Sequence, residues 1–298
     1  MTAELGLLVP LTHDPFAAGE QEAVEAALTA GHVDGVWVRD LPCVPRDDAD
    51  VGQAADPFAH LGFLAGRSLP FRTLGTASII LGTRHPVVIA RAAAGLQHLT
   101  GGRFVLGVGT GGKPAMNRAL GVDDRPLHDF VRDWRTLRSV LQRLDTWEPA
   151  VVVPTAPGRP PPAVFLATTD LAKWRAIDGD ADGWQTFVTT PSHFLETYAE
   201  VCAVRGGPTD VAVRLDATVV PSEAAPMTPN VGARGRVACS SGQLTRLVDE
   251  WRQLPVRHLL LRLRSPAPLA VLRSLHEVSV ATDGSAVTAG RHRTQPSR

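Results

Sequence analysis

"TLGTASIILGTRHPVVIARAAAGLQHLTGGRFVLGVGTGGKP", residues 73–114, reads as strand, helix, strand, and that reading decides the fold. The runs 73–80 and 104–109 are almost continuously apolar, the pattern of strands buried on both faces. Between them, 86–102 has the character of a helix. Pro86 stands in its first turn, where a missing N–H is tolerated, and the Gly101–Gly102 pair supplies its C-terminal stop.

The same alternation extends in both directions. Further strand runs lie at 5–9, 34–38, 163–168, 183–188, 211–220 and 257–263. Further helices are read at 19–31, 56–68, 129–144, 170–177, 191–207, 241–254 and 268–278. Eight such units in order predict a closed parallel (β/α)8 TIM barrel spanning 1–282; an open doubly wound sheet keeps the same rhythm and stays as the alternative. Three segments interrupt the rhythm: 42–57, the Pro-rich 149–162 and 221–240. The first and last follow strands, so they belong at the C-terminal mouth, where such barrels bind ligands. The polar tail 283–298 is expected to be disordered.

The composition excludes several classes of function. Across 298 residues, 30 Lys plus Arg balance 30 Asp plus Glu, so the basic excess of a nucleic-acid binder is missing. No apolar run reaches the roughly 18 residues of a membrane helix, and the N-terminus lacks the basic start of a signal peptide. Cys43, Cys202 and Cys239 are odd in number and without a CxxC pair, which suits a reducing cytoplasm better than a disulfide framework or a zinc site. Asp47, Asp48 and Asp50 read as a solvated charge run, so no metal is expected.

The glycines of 107–112 raise the question of a phosphate loop. Their spacing, Gly107-x-Gly109-x-Gly111-Gly112, is not GxGxxG, Pro114 follows where a Rossmann helix should be running, and no helical pattern resumes until about Asp129. The better reading ends a barrel strand at Gly109–Thr110, where small residues let a flat or phosphorylated ligand approach the backbone. A plain turn explains the glycines equally well.

At this point a family comes into view. The block "LGTASIILGTRHPVVIARAAAGLQHLTGGRFVLGVGTGG" resembles the signature of the bacterial luciferase-like flavin monooxygenase family in order and spacing. "DGVWVRDLP" (34–42), "GQAADPFAHLGFLAGRS" (52–68) and "FLATTDLAKWRAIDGDADGW" (165–184) extend the likeness, and W-x-R-D-x-P resembles one subgroup of its oxidoreductases. The resemblance implies reduced flavin mononucleotide (FMN) across the barrel mouth, used for hydride transfer or oxygen activation on a small organic substrate. A deazaflavin coenzyme is the same-fold alternative, and a flavin-binding protein without turnover is the alternative of another class. A separate flavin reductase and a homodimer are also implied.

Residue by residue, the likeness assigns Thr76, Ala77 and Ser78 to the bulge that supports the flavin ring, with a non-prolyl cis bond at Ala77–Ser78. Gly109, Thr110 and Gly111 on one strand, and Thr168 and Thr169 ahead of a helix opening at Asp170, then hold the phosphate, with Lys113 as its cation. Hydroxyls and free amides at a helix N-terminus suit an anion, although Thr169 or Asp170 acting only as a cap is the competing role.

Arg39 and Asp40 end the second strand and are read as catalytic. Arg39 would hold an anionic substrate group or the flavin, and Asp40 would orient it or act as base; a mutual surface ion pair is the rival account. Luciferases proper place a catalytic histidine next to this point, where Leu41 and Pro42 stand, so the likeness does not extend to aldehyde oxidation. His85 is expected to start a helix, His13 to be a solvated loop histidine, and Trp174 and Trp184 to pack.

Overall fold

A computed structural model describes residues 3–9, 19–43, 55–111, 114–122, 125–142, 160–228, 231–232, 235–265 and 267–275. His13, Asp47, Asp48, Asp50, Lys113 and the tail 283–298 lie outside the described residues.

The strands are β1 (Glu4–Val9), β2 (Gly35–Val38), β3 (Thr73–Thr76), β4 (Ile79–Ile80), β5 (Phe104–Gly109), β6 (Ala163–Ala167), β7 (Gly183–Phe187), β8 (Asp210–Val219), β9 (Arg236–Cys239) and β10 (His258–Arg264). They pair in parallel in the order β1-β2-β3-β5-β6-β7-β8, and β10 bonds to both β8 and β1. That double pairing closes the sheet, so the barrel holds and the open sheet does not. The helices α1 (Glu20–Thr29), α2 (Pro57–Gly66), α3 (Pro86–Leu99), α4 (Pro114–Ala119), α5 (Leu127–Gln142), α6 (Leu171–Ala176), α7 (Pro191–Arg205) and α8 (Ser241–Arg252) fall between the strands, and 268–275 are helical after the last.

Three details depart from the sequence reading. The single strand expected at 73–80 is two pieces, β3 and β4, separated by a cis peptide bond at Ala77–Ser78. A short helix, α4, fills part of the gap before 129, its six residues too few to show a period. The loop expected at 221–240 contains β9, which lies on the edge of β8 facing away from β10, above the end of β7.

Helix α3 illustrates how local chemistry fixes an element. His85 is its N-cap, its Nδ1 accepting from the Val87 N–H, and Pro86 opens the first turn. Ile89, Ala90, Ala93, Ala94 and Gln97 face inward at helical spacing, and Gly101 and Gly102 leave the helix with φ of 69° and 91°. Buried Gln97 then accepts from the Phe104 N–H, fastening α3 to β5.

Successive strand residues point alternately outward, into the helix layer, and inward. The inward set mixes large and small: Trp37 fills the space left by Gly6 and Gly75, and Phe165 fills the space at Gly183. With Leu8, Val105, Ala212 and Leu260 they form a closed floor beneath the mouth. At the N-terminal end of the barrel, Glu4 accepts from Thr73 Oγ1 at 2.7 Å and lies 3.2 Å from His258 Nδ1. The neighbouring His258 is the main reason the Glu4 carboxyl is held below the usual range, against the opposing effect of burial. A depressed folded value means the stabilisation is present above the unfolded pKa and vanishes as pH falls through the folded one. Glu4→Gln is therefore expected to cost about 1 kcal/mol at pH 7, a charge-assisted bond discounted for partial exposure, with the difference closing in acid. Denaturant unfolding at pH 7 and pH 3 checks this; an equal cost at both would contradict it.

Candidate active site

A cavity of about 320 Å³ opens at the C-terminal ends of the strands. Ala77, Gly109 and Ala167, from three neighbouring segments, give one wall whose side chains are no larger than methyl. Gly109 and Ala167 are register partners on β5 and β6, and a Cβ on Gly109 would sit 3.0 Å from both Ser78 Oγ and the Ala167 carbonyl. A larger side chain there would fill the wall. The Ala77–Ser78 bond on this wall is cis, as the resemblance implied.

Thr76 lies behind the wall, fully buried, and does not line the cavity. Its hydroxyl accepts from the Gly107 N–H and donates to the Gly107 carbonyl, both at 2.9 Å, while its own carbonyl accepts from Gln185 Nε2 at 2.8 Å. Gly107 is glycine because a Cβ would fall 2.2 Å from the Thr76 carbonyl oxygen. Gly111 is glycine for a different reason: with φ of +78° it turns the chain after Thr110. The Thr110 carbonyl accepts from Asn117 of α4, which holds that turn.

Thr110, Gly111, Thr168 and Thr169 all line the cavity. Their cation among the described residues is Lys173, whose Nζ donates to Thr110 Oγ1 at 2.9 Å. Two of the amides at the start of α6 are engaged: Asp170 N–H donates to Thr168 Oγ1, and Ala172 N–H donates to the Asp170 carboxylate. Asp170 is thus the helix cap, and threonine hydroxyls with a lysine face the cavity. Trp184 donates from Nε1 to the Thr168 carbonyl at 2.7 Å, so this packing tryptophan also steadies the rim. Trp174 is fully buried.

Arg39 and Asp40 line the cavity too, but both are buried, not a surface pair. Asp40 accepts from the Ile80 N–H at 3.0 Å and from Arg84 Nη2 at 3.2 Å. These bonds tie β2 to the segment just past the cis bond. Burial still dominates and raises the Asp40 carboxyl above its ordinary value despite Arg84. Arg39 contributes its charge to Asp216, on β8. Asp216 receives a two-pronged bond from Arg214, Nε to Oδ1 at 2.9 Å and Nη2 to Oδ2 at 2.5 Å, and Arg262 Nη1 lies 3.6 Å away. Burial alone would raise this carboxyl; Arg214, then Arg262 and Arg39, outweigh it and hold the group below the usual range.

Sequence reasoning missed Lys173, Gln185, Arg214 and Arg236, all of which line the cavity. A signal was present for one pair: "VAVRLDATV" sets Arg214 and Asp216 two apart inside an apolar strand, which puts both on one face. Among the described residues there is no cluster of metal-ligating side chains, no helix long and apolar enough to cross a membrane, and all three cysteines are free.

Over 123 residues the chain is 42% identical to 4-hydroxyprotoasukamycin monooxygenase of Streptomyces nodosus subsp. asukaensis, covering 41% of this chain but only 31% of that relative's length. Among solved structures, the monooxygenase RslO1 from Streptomyces bottropensis superposes with a TM-score of 0.69 at 16% identity, over 92% of this chain and 96% of the other. An F420-dependent secondary alcohol dehydrogenase in complex with an F420-acetone adduct superposes with a TM-score of 0.66 at 14% identity, over 92% and 98%. At such identities the likeness is one of fold. The sequence itself goes further: residues 22–225 match the family model described as Luciferase-like monooxygenase, and this chain belongs to that family.

Proposed function

We propose that the protein is an oxidoreductase that binds reduced FMN across the barrel mouth and acts on a small organic molecule. The observation that carries this reading is the pairing of a flat, small-residue wall with a phosphate-suited corner in one cavity. Ala77, Gly109 and Ala167 leave room for a planar ring, and Thr110, Thr168 and Lys173 offer two hydroxyls and a cation beside it. When bound, the flavin supplies hydride transfer or oxygen activation; the protein supplies placement, charge and exclusion of water. Lys173, Thr110 and Thr168 would hold the phosphate. Ala77 and Ser78 would support the ring, and the closed floor around Trp37 and Leu260 keeps water from entering through the barrel.

A deazaflavin coenzyme is the second reading, favoured by one observation. Lys173, Arg214 and Arg236 add cations to the mouth beyond Arg39, which an acidic coenzyme tail would accept. A solved F420-dependent dehydrogenase shares the fold. Titration with FMN and with F420, followed by absorption and fluorescence, separates the two. FMN binding is expected, weakened about tenfold or more by Lys173→Ala, since a bond between charged groups contributes about 1.5–3 kcal/mol. Thr169→Glu is expected to weaken it as well, by like-charge repulsion. Unchanged affinity in Lys173→Ala would remove the phosphate assignment, and binding of F420 alone would shift the chemistry to hydride transfer without oxygen.

A further inference from the structure

One row of cavity residues runs in register across four strands: Gly109 on β5, Ala167 on β6, Gln185 on β7 and Ala212 on β8. Residues in register share a face of the sheet. Three of the four carry at most a methyl group. Gln185, 5% exposed, is the polar member of the row.

Its amide has a set direction. Nε2 donates to the Thr76 carbonyl at 2.8 Å, and a carbonyl can only accept, so the nitrogen points behind the wall. Oε1 accepts from none of the described residues and is not sealed in the core, so it opens on the cavity that this side chain lines. The Thr76 hydroxyl is shared in both directions with Gly107 and does not serve it. Arg214, the next inward residue after Ala212 on β8, turns Nε and Nη2 to Asp216 instead. A ligand that fills the cavity therefore supplies a donor to Oε1 or leaves a buried acceptor unsatisfied.

The flavin ring has two N–H groups to offer. The imide N3–H stands between two carbonyl oxygens, each of which needs a donor of its own. The residues in register on either side of Gln185 are Ala167 and Ala212, whose side chains have none. N5 has a carbonyl on one side and an aromatic C–H on the other, so its edge suits an acceptor set between methyl groups. N5 carries hydrogen only in the reduced ring. In the oxidised ring it is itself an acceptor and would oppose Oε1.

We propose that Gln185 accepts a hydrogen bond from N5–H of reduced FMN and so makes the mouth select the reduced coenzyme over the oxidised one. The inference rests on the flavin reading and adds to it the residue that distinguishes the two states.

The experiment is anaerobic titration of the whole protein with oxidised and reduced FMN, and with oxidised and reduced 5-deaza-FMN. The analogue has carbon in place of N5 and so no N–H there in either state. Reduced FMN is expected to bind more tightly than oxidised FMN, by about tenfold beyond any preference seen with the analogue, the contribution of one buried hydrogen bond. Gln185→Met is expected to weaken reduced FMN about tenfold, which lowers the two-electron midpoint potential of the bound flavin by about 30 mV. Oxidised FMN and both forms of the analogue should not weaken. Equal weakening of all four ligands overturns the proposal and leaves the flavin reading intact, since Gln185 would then support Thr76 or meet the imide. If the variant does not fold, the parent decides: an equal reduced-state preference for FMN and for 5-deaza-FMN overturns the proposal. If FMN binds in neither state, the flavin reading fails and this inference falls with it.

Discussion

Gly107→Ala is expected to destabilise the protein by roughly 3 kcal/mol or more, at the upper end of what overpacking costs. The added Cβ would lie 2.2 Å from the Thr76 carbonyl oxygen, and Gln185 would be 2.3 Å away. Gln185 is a side chain that can move, but the Thr76 carbonyl is backbone on a strand paired to β2 and β5. It cannot retreat without disturbing the ladder. Three hydrogen bonds converge here, two between Thr76 Oγ1 and Gly107 and one from Gln185 to Thr76, all among buried groups. Any shift that relieves the clash lengthens at least one of them, and an unsatisfied buried polar group costs about 1–3 kcal/mol. A melting temperature lower by about 6–12 °C follows for a chain of this size. The residue directly after Thr76 is Ala77, on the cavity wall, so the variant should also bind FMN more weakly where it remains folded. A melting temperature within a degree or two of the parent would show that β3 and β5 adjust freely, and the rigid wall behind the flavin reading would lose its basis.

The same position shows what the sequence discloses and what it withholds. The barrel was legible because each βα unit announces itself locally: α3 carries its proline, its apolar period and its glycine stop within seventeen residues, 86–102. Elements too short for a period escaped. The six residues of α4 and the four of β9 are formed by what they pack on, Asn117 reaching back to Thr110 and β9 borrowing the free upper edge of β8. The resemblance named Ala77, Ser78, Gly109, Thr110, Gly111, Thr168 and Thr169, which line the cavity at strand ends that the motif marks, but it also named Thr76, which does not, and it passed over Ala167. It did not reveal that Asp40 is bound to Arg84 and Ile80, or that Lys173 reaches Thr110 across 63 residues of sequence. Such partnerships depend on the closure of the barrel, and no local pattern encodes them. Gly107 falls between: its smallness was visible, but only the structure shows that a backbone carbonyl, rather than a ligand, is what requires it.

Asp216→Asn should have an effect of comparable size, through charge instead of volume. Asp216 is 3% exposed and holds the Arg214 fork, with Arg262, itself 2% exposed, close behind. An asparagine keeps the shape but turns one carboxylate oxygen into an N–H that meets guanidinium donors, and it leaves buried arginines facing one another. Removing one partner of a buried pair typically costs about 3–5 kcal/mol, because the remaining charge stays desolvated. The damage falls on β8, the strand that bonds to β7, β9 and β10 and carries the barrel's closure. Removing the excess charge as well, in Asp216→Asn with Arg262→Met, is expected to recover part of the loss, which a purely steric defect would not allow. The pH dependence supplies an independent check. The folded Asp216 carboxyl lies below the ordinary range, so its stabilisation is complete above the unfolded value of about 3.9 and is lost as pH falls through the folded one. Denaturant unfolding of parent and variant should therefore show a constant gap from pH 5 to 8 that narrows below about pH 4. A gap of the same size at pH 3 would mean that the arginines do not need the ionised carboxylate, and the electrostatic account of this side of the mouth would be wrong.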